Sequence, residues 1–310
     1  MTAESASTTA AMADRHTGGW GYAAALTPII FGTTYVLTTE FLPPDRPLLA
    51  ALMRSLPTGL VLIIGSPIPP RRWMVRFFVL SVLYASGLFP LLFIAAYRLP
   101  GGVAAVINSL SPLIVVVISV PLLASRIRPV QIVAGIVGTL GVALLVLRSD
   151  ARLDVVGLVA MAGAAIMFSV ATVLTKRWGL PQGMSSIGFT GWTFLLAGLT
   201  LLPATLLIEG LPDDLTARNI GGLIYLVLVS GILAYALWFW GLQRLSASAV
   251  TFLTLLNPVV AALLGWVVLD QRFNTWQALG AVLVLASVVL GQPGTFDRLR
   301  RRRSALASPM

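Results

Sequence analysis

Long apolar stretches separated by short polar connections run along most of the chain. About 20 consecutive apolar residues cross the hydrocarbon core of a bilayer, and ten of the stretches approach or exceed this length. Pro, Gly and charged residues fall between them, as expected of residues that end helices and form turns. The pattern predicts transmembrane helices at about 20–39, 48–66, 73–97, 101–124, 129–148, 155–177, 184–208, 219–242, 247–269 and 275–292.

One segment of the chain occurs twice. Residues 93–113, FIAAYRLPGGVAAVINSLSPL, align without a gap on residues 239–259, FWGLQRLSASAVTFLTLLNPV, so that Pro112 falls on Pro258. Each copy is read as the end of one apolar helix, a tight Arg-Leu corner and a second helix broken near its middle by proline. Such repeats define architecture. Five helices in each half invert the second half, so we predict an all-α integral membrane protein with an inverted five-plus-five repeat around a central cavity.

The repeat divides the chain into four parts. We predict a disordered cytoplasmic tail over 1–19, a first five-helix repeat over 20–148, a second over 149–292 and a basic cytoplasmic tail over 293–310. Lys and Arg residues are more frequent on the side of the termini, and this bias orients membrane helices. Both termini are therefore predicted to be cytoplasmic, with the last tail anchored on anionic lipid.

Composition excludes several classes of function. Hydrophobic residues form 57% of the chain and charged residues 10%, against roughly 25% charged residues in soluble domains. The net charge of +10 is therefore interpreted as membrane orientation and not as nucleic-acid binding. The chain has no cysteine, and its one histidine is His16 in the first tail, so no metal or cofactor site is predicted. It also lacks a GxxxxGK[ST] motif for ATP.

The order of these features resembles a known family. FGTTYVLT lies in the first helix at 31–38, LMRSLPTGLVL in the second at 52–62, and the doubled Arg-Leu…Pro stretch follows. Together they are similar to the drug/metabolite transporter superfamily, in its ten-helix form with two EamA-type domains. Within it, the chain looks most like bacterial exporters of aromatic and other neutral amino acids. The resemblance implies a cavity that opens alternately to either side of the inner membrane, in a chain that can act as a monomer.

A carboxylate common in this family is missing. Many members carry a glutamate just before the fifth helix of each half, where this chain has Ser125 and Gln271. No Asp or Glu falls in the middle of a predicted span, since Glu40 and Asp270 are at span ends. Proton antiport through a buried carboxylate has no visible carrier. Facilitated or exchange-type export is therefore the simpler expectation.

Arg54 is the one charge clearly inside a predicted span. An arginine near the centre of a membrane helix costs about 2.5–3.5 kcal/mol on insertion scales, so it is expected to face the bundle interior or a cavity. It could bind a substrate carboxylate. It could instead make a structural contact with helix-end carbonyl groups or with Glu40.

Polar residues accompany the two matched prolines. A proline leaves the carbonyl group four residues earlier without its helical donor, here at Asn108 and Thr254. Such a carbonyl could bind an ammonium group in a cavity, or it could be satisfied by local packing. The candidate binding residues are Asn108, Ser111, Thr254 and Asn257, and the candidate hinges are Pro112 and Pro258.

Aromatic residues inside the spans are candidates for the cavity wall. An apolar pocket with a few polar groups suits an aromatic or neutral amino acid, although many membrane Trp and Tyr residues face lipid or the interface instead. The candidates are Tyr35, Tyr84, Phe168, Tyr235 and Trp238. The first, third, fourth, sixth, eighth and ninth helices are thus predicted to form the wall.

The resemblance, together with the aromatic residues of the spans, implies an exporter of small neutral amino acids, such as aromatic ones, methionine and threonine. The protein is expected to lie in the bacterial inner membrane and to work by alternating access. Export of another metabolite or of a drug is the alternative within the class. An integral-membrane enzyme or a sensor would need clustered acids or a fused soluble domain, and neither is visible in the sequence.

Overall fold

The computed structural model describes residues 26–146, 154–212, 214–269 and 274–292. All regular structure in these ranges is helical, as the predicted fold class requires. We number the ten helices along the chain as α1 (26–32 and Thr34–Phe41), α2 (Pro47–Leu62), α3 (Arg71–Arg98), α4 (Gly101–Leu123), α5 (Pro129–Val146), α6 (Val155–Trp178), α7 (Ser186–Ile208), α8 (Ala217–Arg244), α9 (Ala247–Leu253 and Leu256–Leu269) and α10 (Thr275–Gly291).

Six of these helices, α3 to α8, are long and apolar enough within the described residues to cross a membrane. Three more, α2, α9 and α10, are shorter apolar helices. α2 ends four residues before its predicted end because a turn follows it, in which Gly65 has a φ of 74°. Both tails, residues 147–153 and Gln271 lie outside the described residues, so the limits of the two halves stay predictions.

Polar contacts at the two ends of the bundle show in which direction the helices run. At one end, which we call the Pro43 end, the Tyr97 hydroxyl donates to the Pro43 carbonyl oxygen at 2.8 Å. At the other end, the Pro67 end, Trp192 Nε1 donates to the Pro67 carbonyl oxygen at 3.0 Å. α1 ends at the Pro43 end, and α6 begins there, because its N-cap Asp154 pairs with the residue that follows Tyr97. These two helices therefore run in opposite directions.

Asp154 has two roles at the start of α6. Its Oδ1 accepts a hydrogen bond from the Gly157 N–H at 2.7 Å, and its Oδ2 lies 3.4 Å from Arg98 Nη1 in an exposed ion pair. We expect Asp154→Ala to lower the free energy of unfolding by about 1 kcal/mol, the usual effect of a lost N-cap. Asp154→Asn keeps an accepting oxygen and loses only an exposed ion pair, so it should cost less. Thermal unfolding in detergent compares them, and an equal loss in both would assign the effect to the ion pair.

Glycines bring two helix pairs into backbone contact. A Cβ atom at Gly59 of α2 would lie 2.5 Å from the Cα of Leu195 in α7, and one at Gly198 would lie 2.6 Å from the Cα of Leu56. α5 and α10 meet in the same way at Gly141 and Gly280, where each added Cβ would lie within 3 Å of the other residue's carbonyl oxygen. Small residues allow this close approach in membrane bundles. The second helices of the two predicted halves are thus paired, and so are the fifth.

The two helices that contain the matched prolines are interrupted, as predicted. α4 is broken at 109–110 and α9 at 254–255, in each case before the matched proline, Pro112 or Pro258. Proline has no N–H for the carbonyl group four residues earlier, and its ring crowds that group. The helix therefore opens on the N-terminal side of the proline.

Two π-helical segments interrupt α3 and α8. They cover Val82–Ser86 and Leu226–Leu233. The spacing of the sequence repeat places the first segment on 228–232, inside the second. Single π turns within α-helices occur frequently at functional sites. The residues around these two segments are therefore candidates for a functional site.

Candidate functional site

A cavity of about 80 Å³ lies inside the bundle between α1, α2, α3, α4, α6, α8 and α9. A buried water needs roughly 10–15 Å³, so the cavity has room for a small solute. Most of its lining residues come from the halves of their helices nearer the Pro43 end. They are Phe31, Thr34, Arg54, Leu88, Leu92, Asn108, Met161, Ala164, Phe168, Tyr235, Thr254 and Asn257.

The cavity brings together six of the predicted site residues: Arg54, Asn108, Phe168, Tyr235, Thr254 and Asn257. Ser111, Tyr84 and Trp238 are buried but do not line it. The side chain of Tyr35 lies outside the described residues. All six helices predicted to form the wall contribute to it, and α2 adds Arg54.

Tyr84 and Trp238 belong instead to an aromatic cluster on the side of the Pro67 end. The ring of Tyr84 lies 4.9 Å from that of Phe239, between centroids, and the ring of Trp238 lies 4.9 Å from that of Phe168. Phe168 therefore forms the boundary between cluster and cavity. We define the aromatic cluster as Phe77, Tyr84, Phe189, Trp238 and Phe239, and it lies nearer the Pro67 end than the cavity does.

Ser111 connects two helices outside the cavity. Its carbonyl oxygen accepts a hydrogen bond from the Ser169 hydroxyl of α6 at 3.4 Å, and its own hydroxyl lies 3.5 Å from Asn108 Oδ1. Both contacts hold α4 at its break. A hinge role for Pro112 and Pro258 stays a prediction.

Arg54 is almost completely enclosed, with a relative exposure of 1%. Its Nη2 donates to the carbonyl oxygen of Ser230 at 3.2 Å, within the π-helical segment of α8. The rings of Phe31, Phe89 and Tyr235 lie 5.5, 4.7 and 5.4 Å from the guanidinium carbon. Its Nε has no hydrogen-bond partner among the described residues.

Glu40 is not the partner of Arg54. Its carboxylate lies 3.0 Å from Nη2 of Arg218 in an exposed ion pair at the Pro43 end. Of the two structural contacts considered for Arg54, the one with Glu40 is therefore wrong. The one with a carbonyl group is present, but that group belongs to a π-helical segment and not to a helix end.

Asn257 joins α9 to α1. Its side-chain amide faces two carbonyl oxygens, so its nitrogen is the end that donates to them, to Pro28 at 2.7 Å and to Thr254 at 3.2 Å. The backbone N–H of Asn257 also donates to Thr254 at 3.1 Å. The carbonyl group that Pro258 leaves without a helical donor is thus satisfied locally. Gly32 permits the close approach of α1, because a Cβ there would lie 2.9 Å from the Asn257 carbonyl oxygen.

Sequence reasoning missed half of the wall. Met161 and Ala164 lie two turns and one turn before Phe168, and helix geometry alone could have placed them on its face. Leu88 and Leu92, also one turn apart, carry no signal that separates them from the other apolar residues of α3. Phe31 and Thr34 belong to the FGTTYVLT segment of α1, but nothing in that segment distinguishes them from their neighbours as residues of the cavity wall.

The fold and the cavity together define a class of protein. It is a multi-pass helical membrane protein with a small, mostly apolar cavity between the helices that contains few polar groups. In the described part of the chain no cluster of acidic residues or histidines could hold a metal ion. Such a cavity suits the binding of a small solute within the membrane.

Comparison with known proteins identifies the family. The model of the EamA-like transporter family matches this sequence twice, over residues 19–147 and 155–291. The chain belongs to the EamA-like transporter family, and it is a membrane transporter and not an enzyme. The resemblance stated from the sequence is confirmed at this level, whereas the assignment to amino acid exporters within the family stays a prediction.

Individual relatives agree with this assignment. Protein PecM of Dickeya dadantii is 44% identical over 265 residues, which cover 86% of this chain and 89% of PecM. The uncharacterized inner membrane transporter YedA of Escherichia coli is 27% identical, with coverage of 84% and 87%. A solved crystal structure superposes with a TM-score of 0.72 over 88% of this chain and 97% of its own, at 20% sequence identity. At this level of identity, the superposition shows only that the two proteins share a fold.

Proposed function

We propose that this transporter exports small neutral amino acids across a bacterial inner membrane. The observation that carries the proposal is the mixed lining of one small cavity, in which a guanidinium, two carboxamides and two threonine side chains lie beside aliphatic and aromatic side chains. An amino acid has a carboxylate for the guanidinium, an ammonium group for amide and hydroxyl oxygens, and a side chain for the apolar surface. Pockets of this kind bind amphipathic small molecules.

The charges of the cavity favour a neutral amino acid over an acidic or a basic one. Among its described lining residues, Arg54 is the only charged side chain. A second carboxylate on the substrate would be buried without a cation, and a second ammonium group would be buried without an anion. Unpaired buried charges are strongly unfavourable. The same argument disfavours a cationic drug.

We further propose that transport proceeds by alternating access between two inverted halves. The opposite directions of α1 and α6 support the inversion, and the aromatic cluster is placed to close the cavity on its Pro67 side. With both termini cytoplasmic, the Pro67 end is cytoplasmic. The breaks beside Pro112 and Pro258 are the proposed hinges. Facilitated or exchange transport fits a cavity that has no acidic side chain among its described lining residues.

Counterflow in proteoliposomes that contain only this protein tests the proposal. We expect labelled phenylalanine, methionine and threonine to exchange in the absence of any ion gradient, and glutamate to stay outside. Liposomes without protein give the background. Exchange that begins only when a proton gradient is applied would contradict facilitated or exchange transport. No movement of any amino acid in either condition would contradict the substrate class and favour another metabolite.

A further inference from the structure

We infer that Arg54 is a binding site for a monovalent anion, and that the carboxylate of the transported molecule fills it. The inference rests on the proposed function for the direction and the route of transport. The existence of an anion site at Arg54 does not depend on that function. The inference depends on the hydrogen bonds, the aromatic contacts and the charge balance of one side chain.

The guanidinium has unused hydrogen-bond donors. An arginine carries five N–H donors and stays charged in proteins. Among the described residues, Arg54 makes one hydrogen bond, with the Ser230 carbonyl oxygen. Its Nε is buried and has no partner there. Buried polar groups in proteins are nearly always paired, so most of these donors require acceptors from elsewhere.

Three aromatic rings position the guanidinium without neutralising it. Phe89 and Tyr235, which fall on each other in the sequence repeat, both lie within 5.4 Å of its central carbon, and Phe31 completes the group. An aromatic face attracts a cation through its quadrupole. This attraction uses none of the N–H donors and supplies no negative charge. The rings therefore hold the cation in place and leave its donors for a ligand.

No acidic side chain among the described residues forms an ion pair with Arg54. The ion pairs between described residues are Arg98 with Asp154 and Arg218 with Glu40, and both are exposed. A buried cation without an anion is unfavourable. Because Arg54 also lines the cavity, an anion held there would supply both the missing charge and the missing acceptors.

A carboxylate fits this position better than a spherical ion. Its two oxygens match the fork of the guanidinium in a bidentate pair, and the apolar wall beside it suits the rest of an organic molecule. Chloride is the other source of a single negative charge. The experiment therefore includes both.

Thermal unfolding of the purified protein in a chloride-free sulfate buffer tests the inference. The probes are 3-phenylpropionate, which has the carboxylate alone, phenethylamine, which has the amine alone, L-phenylalanine, and sodium chloride. The variants are Arg54→Gln and, as a matched control, Arg218→Gln, which removes an exposed arginine outside the cavity. A ligand that binds the folded state raises the unfolding temperature.

We expect 3-phenylpropionate and phenylalanine to raise the unfolding temperature of the wild type and of Arg218→Gln by several degrees. We expect no rise in Arg54→Gln, and none with phenethylamine. A rise with 3-phenylpropionate but not with phenylalanine would support the anion site and contradict amino acid transport. A rise with chloride, lost in Arg54→Gln, would support the site with a halide as its ligand.

Two results would overturn the inference. One is a rise with 3-phenylpropionate that persists in Arg54→Gln. The other is a lower unfolding temperature of Arg54→Gln without ligand, together with no response of the wild type to any anion. In that case Arg54 would be a structural residue bonded to Ser230. By contrast, an anion site predicts that Arg54→Gln without ligand is at least as stable as the wild type, because an uncompensated buried charge has been removed.

Discussion

Gly59→Ala is expected to destabilise the protein severely, and most of it should aggregate during purification. The added Cβ would lie 2.5 Å from the Cα of Leu195 and 2.8 Å from the carbonyl carbon of Phe194. These are backbone atoms, so α2 and α7 would have to separate along their whole contact. Overpacking usually costs about 1–3 kcal/mol, and more where the backbone must move. Because Ala is favoured over Gly in a helix by only about 1 kcal/mol, that gain does not offset the loss.

Gly221→Ala is the matched control for this prediction. Gly221 lies in the α-helical part of α8 that precedes its π-helical segment, and a Cβ there would meet no heavy atom within 4 Å. The control should therefore be as stable as the wild type or slightly more stable. Size-exclusion profiles and unfolding temperatures in detergent compare the two variants. Wild-type behaviour of Gly59→Ala would mean that α2 and α7 do not pack as closely as described.

Asn257→Ala is expected to reduce transport by about tenfold to hundredfold in protein that still folds, since a lost hydrogen bond with a buried partner costs about 1–3 kcal/mol. The variant removes a carboxamide from the cavity wall and the only side-chain bond described between α9 and the Pro28 carbonyl oxygen. Loss of the bond loosens α1 against α9, and loss of the amide removes a polar contact for the substrate. Initial counterflow rates of phenylalanine below saturation measure the effect.

Thr200→Ala controls for the loss of any polar group from a membrane helix. Thr200 is exposed on α7, and its hydroxyl donates only to the Ala197 carbonyl oxygen of the same helix, at 2.8 Å. Its replacement should leave transport unchanged. If Asn257→Ala transported as well as Thr200→Ala, the cavity around Asn257 would not be the substrate site.

The helices could be predicted from the sequence because a bilayer admits few alternatives. An apolar stretch that crosses it must satisfy its backbone internally, and so it forms a helix. The breaks in α4 and α9 were predicted from the two matched prolines, which cannot donate to the carbonyl groups of Asn108 and Thr254. Proline alone does not decide where a helix breaks, because α2 and α7 continue through Pro57 and Pro203.

The surroundings of Tyr84 and Trp238 could not be predicted in this way. Both residues were predicted to line the cavity because they lie deep inside spans that were expected to be regular α-helices. Tyr84 lies inside a π-helical segment, and Trp238 follows another. A π turn changes the direction of every later side chain on its helix, and nothing in two uniformly apolar stretches signals where it occurs. The chain therefore indicated which residues lie deep in the bundle, but not which of them face the solute.

The surroundings of Arg54 depend on contacts between distant parts of the chain. Its hydrogen-bond acceptor, Ser230, is 176 residues away in sequence. The choice between a substrate role and a structural role could not be made from α2 alone. It depends on which carboxylates are already paired elsewhere, and the pair of Glu40 with Arg218 supplies part of that information.

The π-helical segments make the helix type of α3 and α8 part of the shape of the cavity. A substitution that restored regular α-helix over Leu226–Leu233, with the chain length unchanged, would turn Tyr235 and Trp238 around the helix axis, because an α-helix advances by about 100° per residue and the wider π turn by less. The Ser230 carbonyl group would return to the α-helical hydrogen-bond pattern, and the guanidinium of Arg54 would lose both its acceptor and one of its rings. The same change over Val82–Ser86 would turn Phe89 away. A change of helix type at either segment can therefore alter what the cavity accepts without any change in the residues that line it.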